Sequence, residues 1–107
     1  MNKQLQQIVN DNLREYFNPM KKQHKGLPGH NIGNTPAHER KKFEIAMALD
    51  RDGSTFIIEG ILKNGLRPDI TVIDTIPPIC YEVMHSEKTI NEQKRALYPG
   101  RIIEVRI

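Results

Sequence analysis

Leu66-Arg67-Pro68-Asp69-Ile70-Thr71-Val72-Ile73, followed across Asp74-Thr75-Ile76-Pro77-Pro78 by Ile79-Cys80-Tyr81-Glu82-Val83-Met84, is the stretch whose reading decides the fold. Both apolar runs are short and rich in β-branched residues, and the Pro-Pro pair between them interrupts strand pairing, so they read as two strands joined by a short loop. Just upstream, Thr55-Phe56-Ile57-Ile58-Glu59-Gly60-Ile61-Leu62 reads as a further strand, and Lys63-Asn64-Gly65 carries the Asn-Gly signal of a tight turn. Residues 55–62 and 66–73 are therefore expected to form an antiparallel hairpin. Two of these strands each carry an acid: Asp69 behind Pro68, and Glu82 in the middle of the next strand.

Working outward, residues 87–98 alternate with helical spacing, and Ile102 to Ile107 read as a last strand. The crossover is long enough for that strand to pair in parallel with the one carrying Glu82. On the other side, Thr35-Pro36 marks a helix start, since a hydroxyl can cap free amides and proline suits the first helical position. The helix is expected over 36–51, with Gly53 as a left-handed stop. The element order is helix, strand, strand, strand, helix, strand, which predicts an α/β domain with a mixed sheet and helices on its faces.

Ahead of this core, Leu5, Ile8, Val9, Leu13, Tyr16 and Phe17 recur at spacings of three and four over residues 3–17. That predicts an amphipathic helix, with Asn, Gln and Arg on its outer face, docking on the body or on a partner. From Asn18 to Asn34 the pattern breaks into a Pro- and Gly-containing segment with Lys21, Lys22, His24, Lys25 and His30. It reads either as a solvated linker or as a basic arm whose lysines track phosphates without reading sequence. The division expected is 1–34, helix plus basic loop, and 35–107, core.

With 107 residues the chain fits one domain, and its 37% hydrophobic and 27% charged composition is that of an ordinary globular protein. A net charge of +3 permits attraction to polyanions but is far from that of a packaging protein, and low aromatic content without Trp argues against a base-stacking platform. The single cysteine, Cys80, sits in an apolar run and reads as a buried small hydrophobe, from which a reducing, cytoplasmic setting is expected. No apolar signal core follows Met1 and no stretch approaches membrane-spanning length, so no membrane role is expected. The four histidines lack the spacing of a zinc site, and no phosphate-binding glycine loop or nucleophile elbow is present.

The chemistry therefore rests on the acids. Asp69 and Glu82 lie in otherwise apolar strands, where a carboxylate is costly to desolvate unless compensated. One outcome is that both point outward to solvent or to lysine partners. The other is a divalent cation: Mg²⁺ takes oxygen ligands and keeps waters, so two carboxylates and a backbone carbonyl suffice, and such an ion can polarise a phosphodiester and activate water. Glu59 is a third acid whose face is left open, because Gly60 leaves room for a bulge. On the preceding helix Glu39 and Glu44 project about 140° apart, so only one can face the same point.

The combination Arg67-Pro68-Asp69, then Glu82 on the next strand, then a helix with Lys88, Lys94 and Tyr98, resembles the PD-(D/E)XK nuclease superfamily over residues 35–107. The resemblance implies a restriction-endonuclease-like αβββαβ core, Asp69 and Glu82 as ligands of Mg²⁺ or Mn²⁺, and hydrolysis of DNA phosphodiesters, including those of structured or branched DNA such as four-way junctions. His38, Glu39 and Lys42 resemble the acid-bearing helix of some branches, which favours Glu39 over Glu44, and Glu59 matches an acid that joins some sites. The family's lysine is absent: two residues after Glu82 stands Met84, whose thioether cannot do the work of an ammonium. In the resemblance the lysine then comes from the following helix, as Lys94 or Lys88, with His85 as a weaker candidate. Lys21, Lys22, Lys25, Lys41 and Lys42 are expected to contact nucleic acid, and a homodimer is expected because symmetric cutting needs two sites. The competing expectations are a catalytically silent binding module on the same fold, and an accessory or inhibitor protein working through its first helix.

Overall fold

A computed structural model describes residues 2–19, 35–85 and 89–107. The elements are α1 (Lys3–Tyr16), α2 (Pro36–Arg51), β1 (Phe56–Ile58), β2 (Ile70–Val72), β3 (Ile79–Met84), α3 (Glu92–Arg95) and β4 (Arg101–Arg106). Among the described residues four strands form one sheet in the order β1-β2-β3-β4. The first three pair antiparallel and β4 lies parallel to β3, so the mixed sheet and the crossover agree with the sequence reading.

Helix α2 begins as its sequence requires: the Thr35 hydroxyl accepts a hydrogen bond from the His38 amide and Pro36 opens the first turn. Gly53, at φ +76°, turns the chain away after its end. Its inward face packs Ala46 and Leu49 against Phe56, Ile58, Ile70 and Val72, one side of the sheet. The opposite side carries Ile57, Thr71, Cys80 and Ile102, which stand in cross-strand register. There α1 seats Val9 against Ile57, Leu62 and Ile73, and the segment around α3 packs Ile90 and Tyr98 on Cys80. The first helix thus docks on the body and shares its core. Cys80 is fully buried, and desolvation pushes its thiol up to about 12, in keeping with a packing role.

Three expectations need correction. The hairpin strands are much shorter than 55–62 and 66–73. The Lys63-Asn64-Gly65 turn forms where expected, with Gly65 at φ +89°, yet the ladder stops one residue beyond Ile58, at the bond from Glu59 N–H to the Asp69 carbonyl. Glu59 takes a left-handed φ of +54° and Pro68 has no N–H to donate. Ile61 and Lys63 bond instead to the end of α1, where Asn18 N–H meets the Ile61 carbonyl and Lys63 N–H the Tyr16 carbonyl, while Leu62 N–H closes the turn on the Leu66 carbonyl. Of the helix expected over 87–98, residues 87 and 88 lie outside the described residues, and among 89–98 the helix is only Glu92–Arg95 with a turn on to Tyr98. Before it, Ile90 N–H donates to the Glu104 carboxylate and its carbonyl accepts from Arg95, which holds the chain against β4 until the Asn91 side chain can cap the turn. The start of β4 lies so close to Pro78 that a Cβ on Gly100 would fall 2.4 Å from its carbonyl oxygen, so only glycine fits.

The third correction concerns α1. Asn12, assigned by periodicity to the outer face, is 7% exposed, and its amide donates to the carbonyls of Ile73 at 2.8 Å and Thr75 at 2.9 Å. It satisfies the backbone where β2 ends. Asn12→Leu is expected to cost about 1–3 kcal/mol, because a buried carbonyl loses its donor while the apolar area changes little. The urea midpoint should fall with an unchanged slope; a midpoint equal to that of wild type would show the two bonds to be dispensable.

Candidate active site

The register of the sheet places Asp69, one residue before β2, opposite Glu82 in β3, since Ile70 faces Tyr81. The two acids interlock: Asp69 N–H donates to Glu82 Oε1 at 2.7 Å, and Val83 N–H donates to Asp69 Oδ2 at 2.7 Å. Each side chain thereby occupies a backbone position that the ladder would otherwise fill, which holds both carboxylates at the end of the β2–β3 pairing. Tyr98, arriving from the turn after α3, donates its hydroxyl to Glu82 Oε2 at 2.7 Å. From the other layer, His38 in the first turn of α2 brings Nε2 to 3.4 Å from Asp69 Oδ2, while its Nδ1 is buried with no hydrogen-bond partner.

Both carboxyls are pushed above the usual carboxylate range. For Asp69 burial dominates, opposed by the Val83 bond and by the charges of His38 and Lys42. For Glu82 burial again leads, opposed by the bonds from Tyr98 and the Asp69 amide, with the neighbouring Asp69 charge adding to the rise and Lys94 countering it. Burial also drives the Tyr98 hydroxyl upward, and its bond to Glu82 adds to this, so Tyr98 remains a donor.

The other acids lie in a separate ion chain. Lys42 is 0% exposed and its ammonium sits 3.2 Å from Glu39 Oε1 and 3.2 Å from Glu59 Oε2. Arg67 lies on the far side of Glu59, with Nε donating to the Glu59 carbonyl at 3.2 Å and Nη2 3.7 Å from Oε1. Glu59 is thus turned inward, and the irregularity in its strand falls at Glu59 itself rather than at Gly60. Glu39 faces this cluster, while Glu44 pairs with Lys41 at 3.0 Å on a more exposed part of the helix.

Lys42, expected among the lysines that contact nucleic acid, is instead enclosed, because only a paired position makes burial of an ammonium tolerable. Met84 packs with Ile90 and Tyr98 and contributes nothing polar. Lys94 is exposed at α3 but close enough to favour ionised Glu82. Lys88, Lys21, Lys22 and Lys25 lie outside the described residues, as does nearly all of the 18–34 segment. Sequence reasoning did not find the roles of Tyr98 and Arg67; the signal available was that each flanks an acid-bearing strand end.

Among the described residues no group of three or more His, Cys, Asp or Glu side chains converges as a metal cluster. Two desolvated carboxylates with a rise in affinity for protons nevertheless suit a hard cation that retains most of its waters. No helix among the described residues is long and apolar enough to cross a membrane. Comparison with known proteins finds no family model, curated protein or solved structure that matches this chain. The class defined is an α/β domain with a four-stranded mixed sheet and a pair of interlocked acids between its two helical layers.

Proposed function

We propose that this domain is a metal-dependent nuclease of the PD-(D/E)XK type, acting on the phosphodiesters of duplex or branched DNA. The observation that carries the reading is the facing of Asp69 and Glu82 across β2 and β3, both part-buried, with Glu82 accepting from the Asp69 amide and Asp69 from the amide of Val83, the residue after Glu82. The element order supports it: a helix, three antiparallel strands, then a crossover to a parallel fourth strand match the restriction-endonuclease-like arrangement that the resemblance implies.

Asp69 and Glu82 would hold Mg²⁺ or Mn²⁺, which supplies Lewis-acid activation of a phosphodiester and of water. The chain's own residues do the rest. Tyr98 and the Asp69 amide fix Glu82, Val83 and His38 fix Asp69, and Lys94 is an exposed cation whose charge is felt at Glu82 and which would meet charge developing on a phosphate. Lys88 remains its alternative. Glu59 and Glu39 support the site through Lys42, and two copies of the domain would serve two strands. Cleavage of plasmid, single-stranded and four-way-junction DNA with Mn²⁺ tests the reading. Wild type should cut at least one substrate and Glu82→Gln should lose at least about a hundredfold in rate, since the amide removes a charged ligand. Equal rates for the two proteins would overturn it.

A second reading, a catalytically silent nucleic-acid-binding module, is favoured by Met84, which lies in an apolar cluster where the family's lysine would stand. It is distinguished by Mn²⁺ binding without cleavage, with activity appearing in Met84→Lys.

A further inference from the structure

We propose that Arg67 is the residue through which the site takes hold of a substrate phosphate, an inference that rests on the nuclease reading for its place in a reaction. The ion chain Glu39, Lys42, Glu59, Arg67 passes through the protein interior and ends at solvent, with side-chain exposures of 26% at Glu39, 0% at Lys42, 8% at Glu59 and 55% at Arg67. It alternates two acids with two bases and lies beside the Asp69–Glu82 pair, since the Lys42 charge is felt at Asp69.

Within this chain Arg67 is not consumed by Glu59. Lys42 already lies 3.2 Å from one Glu59 oxygen, whereas Arg67 Nη2 stands 3.7 Å from the other, beyond hydrogen-bond length. What pins Arg67 is Nε, bonded to the Glu59 carbonyl at 3.2 Å on a backbone held left-handed at φ +54°. Its other anchor is the chain itself, since the next residue, Pro68, is fully buried and leads directly into Asp69. The guanidinium is therefore fixed at its base and half exposed at its fork, a short step along the chain from Asp69. A planar fork with several donors, part of whose freedom is already lost, fits the paired oxygens of a phosphodiester. A purely structural arginine would instead close on the carboxylate it neutralises.

Binding of the full chain to a random-sequence duplex oligonucleotide tests the inference, in chelator and again in Mn²⁺, across a salt series. Arg67→Gln is expected to weaken binding on the order of tenfold or more and to lower the salt slope by about one, while Arg14→Gln on the outside of α1 controls for loss of one charge. Arg67→Lys should keep the slope and recover only part of the affinity. Mn²⁺ affinity and the urea midpoint of Arg67→Gln should stay at wild-type values. If Arg67→Gln binds duplex like Arg14→Gln, or if wild type does not bind duplex, the inference is overturned. It is also overturned if the loss comes with an equal loss of Mn²⁺ affinity or of stability, which would make Arg67 a prop for Glu59. Wild type that binds through Arg67 but never cuts would overturn the nuclease reading and leave Arg67 standing. Wild type that cuts with a KM indifferent to Arg67→Gln would do the reverse.

Discussion

Lys42→Met is expected to destabilise the domain by about 3–5 kcal/mol, the range for breaking a buried ion pair from one side, and so to leave much of the chain unfolded near physiological temperature. Methionine preserves most of the apolar stem, so packing loss is small and the effect isolates the ammonium. Lys42 has no exposed surface and holds Glu39 and Glu59, each at 3.2 Å. Without it Glu59, itself 8% exposed, loses the ammonium at 3.2 Å and keeps the more distant Arg67 at 3.7 Å, in a site it can leave only by reorganising a left-handed turn. Glu39, at 26% exposed, can recover hydration and softens the loss. Adding Glu59→Gln to Lys42→Met removes a buried charge that has lost its ammonium and should restore a substantial part of the stability, giving a coupling energy of about 1–3 kcal/mol in a double-mutant cycle. Urea unfolding measures all four proteins. A loss under about 1 kcal/mol for Lys42→Met would mean that water reaches the cluster and that Lys42 does not organise it.

The second large effect is a reversal of sign at the acid pair. Asp69→Asn/Glu82→Gln is expected to be more stable than wild type in chelator at pH 8, and less stable once Mn²⁺ is added. The amide oxygen introduced at 69 can still accept from Val83, and the one introduced at 82 from the backbone amide of residue 69. The new NH2 at 82 can donate to the Tyr98 hydroxyl, which turns from donor to acceptor, so the bonding largely survives while the charges go. In the folded protein both carboxyls are raised above their ordinary values, chiefly by burial. A raised folded value means that folding binds protons. The contribution of each carboxyl is fully present below its unfolded value, about 4, and is lost as pH rises through the folded one. Wild type and variant should therefore converge in stability as pH falls below that range and separate as it rises. An ion binding only the folded wild type adds about 2.7 kcal/mol at a hundredfold excess over its Kd. Equal stabilisation of both proteins by Mn²⁺ would place the ion elsewhere. A wild type more stable than the variant in chelator at pH 8 would show the acids already compensated.

Local signals settled a good part of this protein before any coordinates. Thr35-Pro36 and Gly53 bounded α2, because capping and the left-handed stop act within a few residues. The apolar runs around Ile70 and Ile79, separated by Pro77-Pro78, marked neighbouring strands able to bring Asp69 and Glu82 side by side, and the register does so. Charge and size ruled out broad classes. What the sequence could not supply was anything decided by partners distant along the chain. Asn12 looked like surface until β2 presented it with two carbonyls. Lys42 reads in the sequence as one of the lysines that contact nucleic acid, but Glu59, seventeen residues on, turns inward to meet it. Within the helix expected over 87–98, the described residues 89–91 stay out of the helix because Glu104 offers Ile90 a better bond than a helical turn does. In each case a buried polar group took the partner that the tertiary structure brought to it, since leaving it unpaired costs more than local propensity can return.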